Sequence, residues 1–215
     1  MTRPLRVVVV AESPTDEAVV LEIIAAVRGA PVDPVVASRT LTRGWPAVLA
    51  RLPNAVRRAH FDPTVDALVT LADADRSPVH DPAAHTPDRP VVGCRWCELW
   101  AVAAGELARC APTPGRTAPL NVAVGTPAPA LEAWLLAGVR ADASEAAWAV
   151  ALREGRAQAT PGFLKVDAYG ARVVATDFMV QQARTLIRAV LSRGGLLDTA
   201  FPGGYGALAS GIRAW

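Results

Sequence analysis

The stretch with most chemistry in it is Ala72-Asp73-Ala74-Asp75-Arg76, which closes an apolar run. In extended backbone, residues i and i+2 project to the same side, so Asp73 and Asp75 face together. Two carboxylates on one side repel unless a proton or a cation separates them. At a strand end open to solvent, Mg²⁺ or Mn²⁺ meets that need, because a hard cation takes oxygen ligands and keeps several waters. An ordinary Asp turn or cap is the alternative. Glu12 is a second acidic point, directly after Leu5 to Ala11 (LRVVVVA). It suits a metal ligand, or a general acid/base whose pKa apolar surroundings raise. Asp16 and Glu132 each fall in the first turn of an expected helix, where an acidic side chain also simply complements the helix dipole. Lys165 is the only lysine in the chain. Against so many arginines, a compact ammonium is either an ordinary surface residue or one kept for its chemistry.

A second cluster is His80, His85, Cys94 and Cys97. The Cys-x2-Cys spacing suits a zinc knuckle, and the two histidines complete a Cys₂His₂ set. The His-before-Cys order is reversed from a finger, and only eight residues separate His85 from Cys94. The plainer alternative is a helix start with a cysteine buried as a small hydrophobe. The arginines Arg39, Arg43, Arg51, Arg57, Arg58 and Arg76 either track a nucleic-acid backbone or form a solvated helix face. Of these, Arg43, Arg57 and Arg76 are the candidate nucleic-acid contacts.

The elements that must position these groups follow from periodicity. Leu5 to Ala11 is a continuous β-branched run, the pattern of a buried parallel strand. Thr15 is expected to cap the following helix, whose Val19, Val20, Ile23, Ile24 and Val27 recur at helical spacing until Gly29 stops it. Strands are expected at 32–39, 66–72 and 119–125. Helices are expected at 45–59, with Pro53 weakening the middle, at 94–110, from 129 to 137, at 144–156 and at 168–193. A long loop spans 77–92, and loops of that length are functional or mobile. The order β-α-β-α-β-α-β followed by helices implies an α/β fold: a mostly parallel four-stranded sheet flanked by helices, in one domain covering 1–215. Residues 140–215 form a helical extension packed on the same core. In such sheets ligands sit beyond the carboxyl ends of the strands, where Glu12, Asp73 and Asp75 fall.

Composition narrows the class. With 215 residues, 52% hydrophobic and 20% charged, the chain suits one globular domain. A net charge of +2 argues neither for nor against nucleic acid. Three cysteines argue against a disulfide framework and for a reducing, cytoplasmic compartment. No apolar stretch reaches the roughly 18 residues of a membrane span.

Taken together, VVVVAESPTDEAVV followed by ALVTLADADR resembles the Toprim domain of topoisomerases, primases, recombination proteins and overcoming-lysogenization-defect nucleases. PAPALEAWLLAG resembles the Pro-x-x-Glu-x-Trp-Leu-Leu stretch of small stand-alone Toprim-like proteins. These include RloB-like proteins and a related family from bacterial defence and mobile-element neighbourhoods. Lys165, the long helix after it and the Pro-Gly-rich tail fit the same pattern. The resemblance spans about residues 5 to 205. Ser13 departs from it, since many Toprim proteins carry Gly there, as does the long loop after Asp75.

The resemblance implies a metal-dependent nuclease acting on DNA or RNA. Glu12, Asp73 and Asp75 would hold one Mg²⁺ or Mn²⁺, with Asp16 and Glu132 near it or near a second ion. Glu12 and Lys165 would take part in catalysis, Lys165 by offsetting charge on the phosphate. A non-catalytic alternative is a nucleic-acid or nucleotide-binding partner of an ATPase, because the chain has no G-x-x-x-x-G-K-[ST] phosphate loop. A homo-oligomer is compatible with either. A receiver-like phosphotransferase would require Asp-x-Asp after the first strand, where Glu12 stands instead.

Overall fold

The computed structural model describes residues 3–35, 44–86, 88–116, 118–156 and 160–215. Its centre is a parallel sheet of β1 (Leu5–Val10), β2 (Val32–Val35), β3 (Ala67–Leu71) and β4 (Asn121–Gly125), in the order β2-β1-β3-β4. Each strand is short and rich in β-branched or small residues, and alternate side chains sort to opposite faces. Val7, Val9, Val69 and Leu71 enter one core, while Val8, Val10, Leu68 and Val124 enter the other.

The helices cover both faces. α1 (Pro14–Arg28) lies on the first face, and α2 (Trp45–Phe61) and α3 (Arg95–Arg109) lie on the second. The chain turns one way from β1 to β2 and the other way from β2 to β3, so a constant crossover hand puts α1 opposite α2 and α3. Of the C-terminal helices, α4 (Leu131–Leu135) joins the first face, while α5 (Glu145–Arg153) packs its Trp148 and Ala151 in a small separate cluster with Ala74 and Ala128. α6 (Thr160–Tyr169), α7 (Thr176–Leu191), α8 (Leu196–Ala200) and α9 (Ala207–Arg213) join the first face as well. α7 packs on α1, and α9 packs on β4. Trp134 and Phe201 are fully buried there, each contributing roughly 1.5–3 kcal/mol of hydrophobic stabilisation. The expected α/β class, parallel sheet and helical C-terminal part are therefore present. Among the described residues, no helix is long and apolar enough to cross a membrane.

Several local expectations change. Ser13, not Thr15, caps α1: its Oγ accepts the Asp16 N–H at 3.2 Å, and Pro14 takes the first helical position. Proline suits that position because its missing N–H would have had no partner there. α2 runs through Pro53 to Phe61. The single helix expected at 168–193 is two, α6 and α7, broken after Gly170, whose φ of 78° lies in the left-handed region. α6 also starts earlier than expected. β2 is described as far as Val35; 36–39 of the expected strand lie outside the described residues.

The Gly-rich tail has a packing reason. A Cβ on Gly203 would overlap the carbonyl oxygen of His80, and one on Gly204 would crowd that of Thr126. Glu145 of α5 holds the turn, accepting the Gly203 N–H at 2.8 Å and the Gly204 N–H at 2.5 Å. The C-terminal segment thus lies directly on the backbone of the 77–92 loop and of the β4 exit.

Candidate functional site

β1 and β3 are neighbours whose following connections leave in opposite directions, towards β2 and β4. That divergence opens a crevice at their carboxyl ends, the usual ligand position in open parallel sheets. Glu12 and Asp73 each stand two residues past a strand end and meet there. Glu12 Oε1 accepts the Asp73 N–H at 3.1 Å. The β3–β4 pairing continues beyond the strands, with Ala74 N–H donating to Pro127 O at 2.7 Å and Asp75 N–H to Pro129 O at 2.8 Å. This brings the start of α4 alongside. Asp73 Oδ1 accepts the Leu131 N–H at 2.9 Å, next to Glu132.

The two aspartates are not equivalent. Asp75 has φ 47°, a left-handed backbone that Asp tolerates better than most residues, and it ends the extended segment. Its side chain is exposed, whereas Asp73 is half-buried. Asp16 lies deeper still, in the buried first turn of α1.

Burial, and after it the crowding of like charge, shows in the acidities. Burial, then repulsion from Asp16, Glu132, Glu12 and Asp75, pushes the Asp73 carboxyl well above its usual range. Burial and the charges of Glu12 and Glu132 push Asp16 up to about 7, against hydrogen bonds from Ser13. Burial and Asp75 raise Glu12, with Arg95 acting the other way. Burial raises Glu132, while Lys165 pulls it down. Five carboxylates from three connections therefore influence one another in one crevice.

Two cations and a phenol flank them. Arg95, the first residue of α3, donates to the Asp73 carbonyl. Its Nη1 lies 2.8 Å from Asp75 Oδ2 and 4.0 Å from Glu12 Oε1, and its guanidinium stacks 4.8 Å from the Trp45 ring. Lys165 on α6 acts on Glu132 at longer range. One helical turn on, Tyr169 presents a buried hydroxyl without a hydrogen-bond partner among the described residues. Glu132, Asp16 and Asp73 all raise its pKa, after burial. Neither Arg95 nor Tyr169 stands out in the sequence. The available signal for Tyr169 was its i+4 spacing from Lys165, which puts both on one face of α6.

The other expected positions fall elsewhere. Arg57 is taken up by Glu106 at 2.9 Å and Asn54 at 2.5 Å, between α2 and α3. Arg76 is exposed beside Asp75. Arg39 and Arg43 lie outside the described residues. Arg51 donates to the Ala11 carbonyl at 2.7 Å, beside Glu12. Among the described residues, the side chains drawn tightly enough for one ion are not the carboxylates but His80, His85, Cys94 and Cys97, with one ligand atom from each within 4.8 Å of the others.

No family model, no curated protein and no solved structure matches the chain.

Proposed function

We propose that this protein is a Mg²⁺- or Mn²⁺-dependent nuclease of the Toprim type, hydrolysing phosphodiester bonds in the crevice between β1 and β3. The observation that carries the reading is the convergence of Glu12, Asp16, Asp73, Asp75 and Glu132 at the ends of β1, β3 and β4, where Glu12 accepts the Asp73 N–H and Asp73 accepts the Leu131 N–H beside Glu132. An all-oxygen donor set of this kind fits a hard divalent cation. Burial first, and for Glu12, Asp16 and Asp73 also neighbouring negative charge, raises these carboxyls, and a cation would offset both effects.

Glu12 and Asp73 would be the inner ligands, held in register by the hydrogen bond between them. Asp75 is the exposed ligand at the rim, and Asp16 and Glu132 form the acidic floor. A bound cation would supply Lewis-acid stabilisation of the phosphoryl oxygens and a water activated at neutral pH. Lys165 offsets charge building on the phosphate. Arg95 restrains Asp75 and the Asp73 backbone and presents positive charge towards an incoming phosphodiester. Arg76 extends that charge along the rim. The resemblance to stand-alone Toprim proteins agrees with this reading and suggests a role in anti-phage defence or mobile-element biology.

The test is cleavage of single- and double-stranded DNA and RNA by the purified chain with Mn²⁺ or Mg²⁺, beside Asp73→Ala. Metal-dependent cleavage by the wild type and none by the variant is expected. Equal activity of the two sinks the site assignment. A second reading is a non-catalytic nucleic-acid- or nucleotide-binding partner of an ATPase. It is favoured by the looser setting of the carboxylates and by Arg95 already bridging Asp75 towards Glu12. Under it, no metal supports cleavage, and an ATPase co-purifies with the chain.

A further inference from the structure

The β3–α3 connection holds the tightest set of metal-ligating side chains among the described residues, and the nuclease reading makes no use of it. His80, Cys94 and Cys97 are buried and His85 is half-buried, with one donor atom from each inside 4.8 Å. The His80 Nδ1 to Cys94 Sγ distance is already 3.8 Å. Bonds of about 2.3 Å to sulfur and 2.0–2.1 Å to nitrogen give a tetrahedron with edges of roughly 3.3–3.8 Å. Small side-chain movements therefore close the set around one ion. The cysteines are not joined in a disulfide.

Each ligand is positioned by something other than the ion. Cys94 is the N-cap residue of α3 and Cys97 lies in its first turn. Residues three apart on a helix are neighbours, so both thiols point to the same side. Asp81 shapes the turn between the histidines, its carbonyl accepting the His85 N–H at 2.7 Å and its Oδ1 the Ala83 N–H at 2.9 Å. His80 is stacked on Trp96, with ring centroids 4.0 Å apart and planes at 17°. Behind it, the bare Gly203 lets the C-terminal turn press on the His80 carbonyl. By contrast, 76–93 contains no helix or strand among its described residues, only the isolated bridge of Thr86 and Arg89. Such a loop has few backbone bonds of its own, and a four-ligand clip is what would hold it.

The geometry points to a structural Zn²⁺ site formed by His80, His85, Cys94 and Cys97, which fixes the β3–α3 loop and, through Cys94, the neighbouring Arg95 at the carboxylate crevice. Four protein ligands leave no open position, so the ion is structural and not catalytic. Two sulfur and two imidazole ligands in tetrahedral array select zinc over Mg²⁺ or Mn²⁺. The inference stands whether or not the crevice cleaves nucleic acid.

The experiment is elemental analysis of the full chain produced in zinc-supplemented medium, together with Co²⁺ reconstitution. Wild-type protein is expected to carry about one zinc per chain. Asp73→Asn and Cys110→Ser should keep it, while Cys97→Ser and His80→Ala should lose it. Cobalt should give the visible bands of a tetrahedral site and a thiolate charge-transfer band in the near ultraviolet. Should the ligand variants fail to fold, the wild-type cobalt spectrum still decides. Wild-type protein with neither zinc nor cobalt bands overturns the proposal. So does loss of zinc from Asp73→Asn, or full reaction of Cys94 and Cys97 with a thiol reagent in a metal-free chain of unchanged melting temperature.

Discussion

The carboxylate crevice and the His/Cys cluster share one connection, Asp73 to Cys97, yet they are built on opposite terms. In the crevice, like charges are gathered from three connections and held apart from their counter-charge: Arg95 reaches only Asp75 closely, and Lys165 acts at longer range. In the His/Cys cluster, neutral groups are gathered from a single connection and packed between Trp96 and Gly203. Removing a charge from the first should relieve the fold. Removing a ligand from the second should loosen it. The difference is that between a site that works on something from outside and a site that holds the chain itself.

The strongest way to break that contrast is Asp73→Ala. Metal-dependent cleavage should fall by roughly 10³-fold, as when a main stabilising group is deleted from an active site. The melting temperature should stay level or rise, because the repulsion raising Asp73 and Asp16 is removed. A sharp fall in melting temperature with activity retained would reverse the roles assigned to the two clusters. Lys165→Ala should cost about 10²-fold in cleavage rate, with Lys165→Arg recovering part of it. Single-turnover kinetics separate this from a loss of nucleic-acid binding.

Gly203→Ala probes the other cluster. The added methyl meets the His80 carbonyl, and overpacking of this kind costs roughly 1–3 kcal/mol. A drop of about 2–4 °C per kcal/mol is expected in thermal denaturation. Gly155→Ala has open space around it, though its φ of 69° also carries strain, so a loss as large there would weaken the packing argument.

The smallest effect is a pH dependence. Asp16 is raised to about 7 in the fold, so the folded chain binds more protons than the unfolded chain between its usual value and there. Its stabilising effect is therefore full at acid pH and is lost as pH rises through about 7. Metal-free protein should lose on the order of 1 kcal/mol from this group on going from pH 5 to 8. Mg²⁺ or Mn²⁺ should restore it, and Asp16→Asn should flatten the profile in urea melts.

Much of the frame was legible from residue order. LRVVVVA and the later apolar runs declare parallel strands, and their ends place Glu12 beside Asp73 and Asp75. Asp16 reads as a helix cap residue, and only the packing of α1 buries it among other acids. The break between α6 and α7 was hidden because Ala168 to Arg193 keeps a helical pattern across Gly170. Arg95 sits inside Cys-Arg-Trp-Cys, where the flanking cysteines draw the eye.

Residue order alone carries the α/β element order, the sheet flanked by helices and the acidic strand ends, because hydrophobic periodicity and turn residues act over short distances. Which distant groups share one environment is a matter of packing. Glu132, Lys165 and Tyr169 join the crevice because α4 and α6 fold onto the first face of the sheet. His80 meets Cys94 because the C-terminal turn presses the loop back onto α3. Such encounters depend on how whole elements pack: spacing and resemblance made Glu132, Lys165 and the His/Cys set candidates, and packing brought them together and added Arg95 and Tyr169.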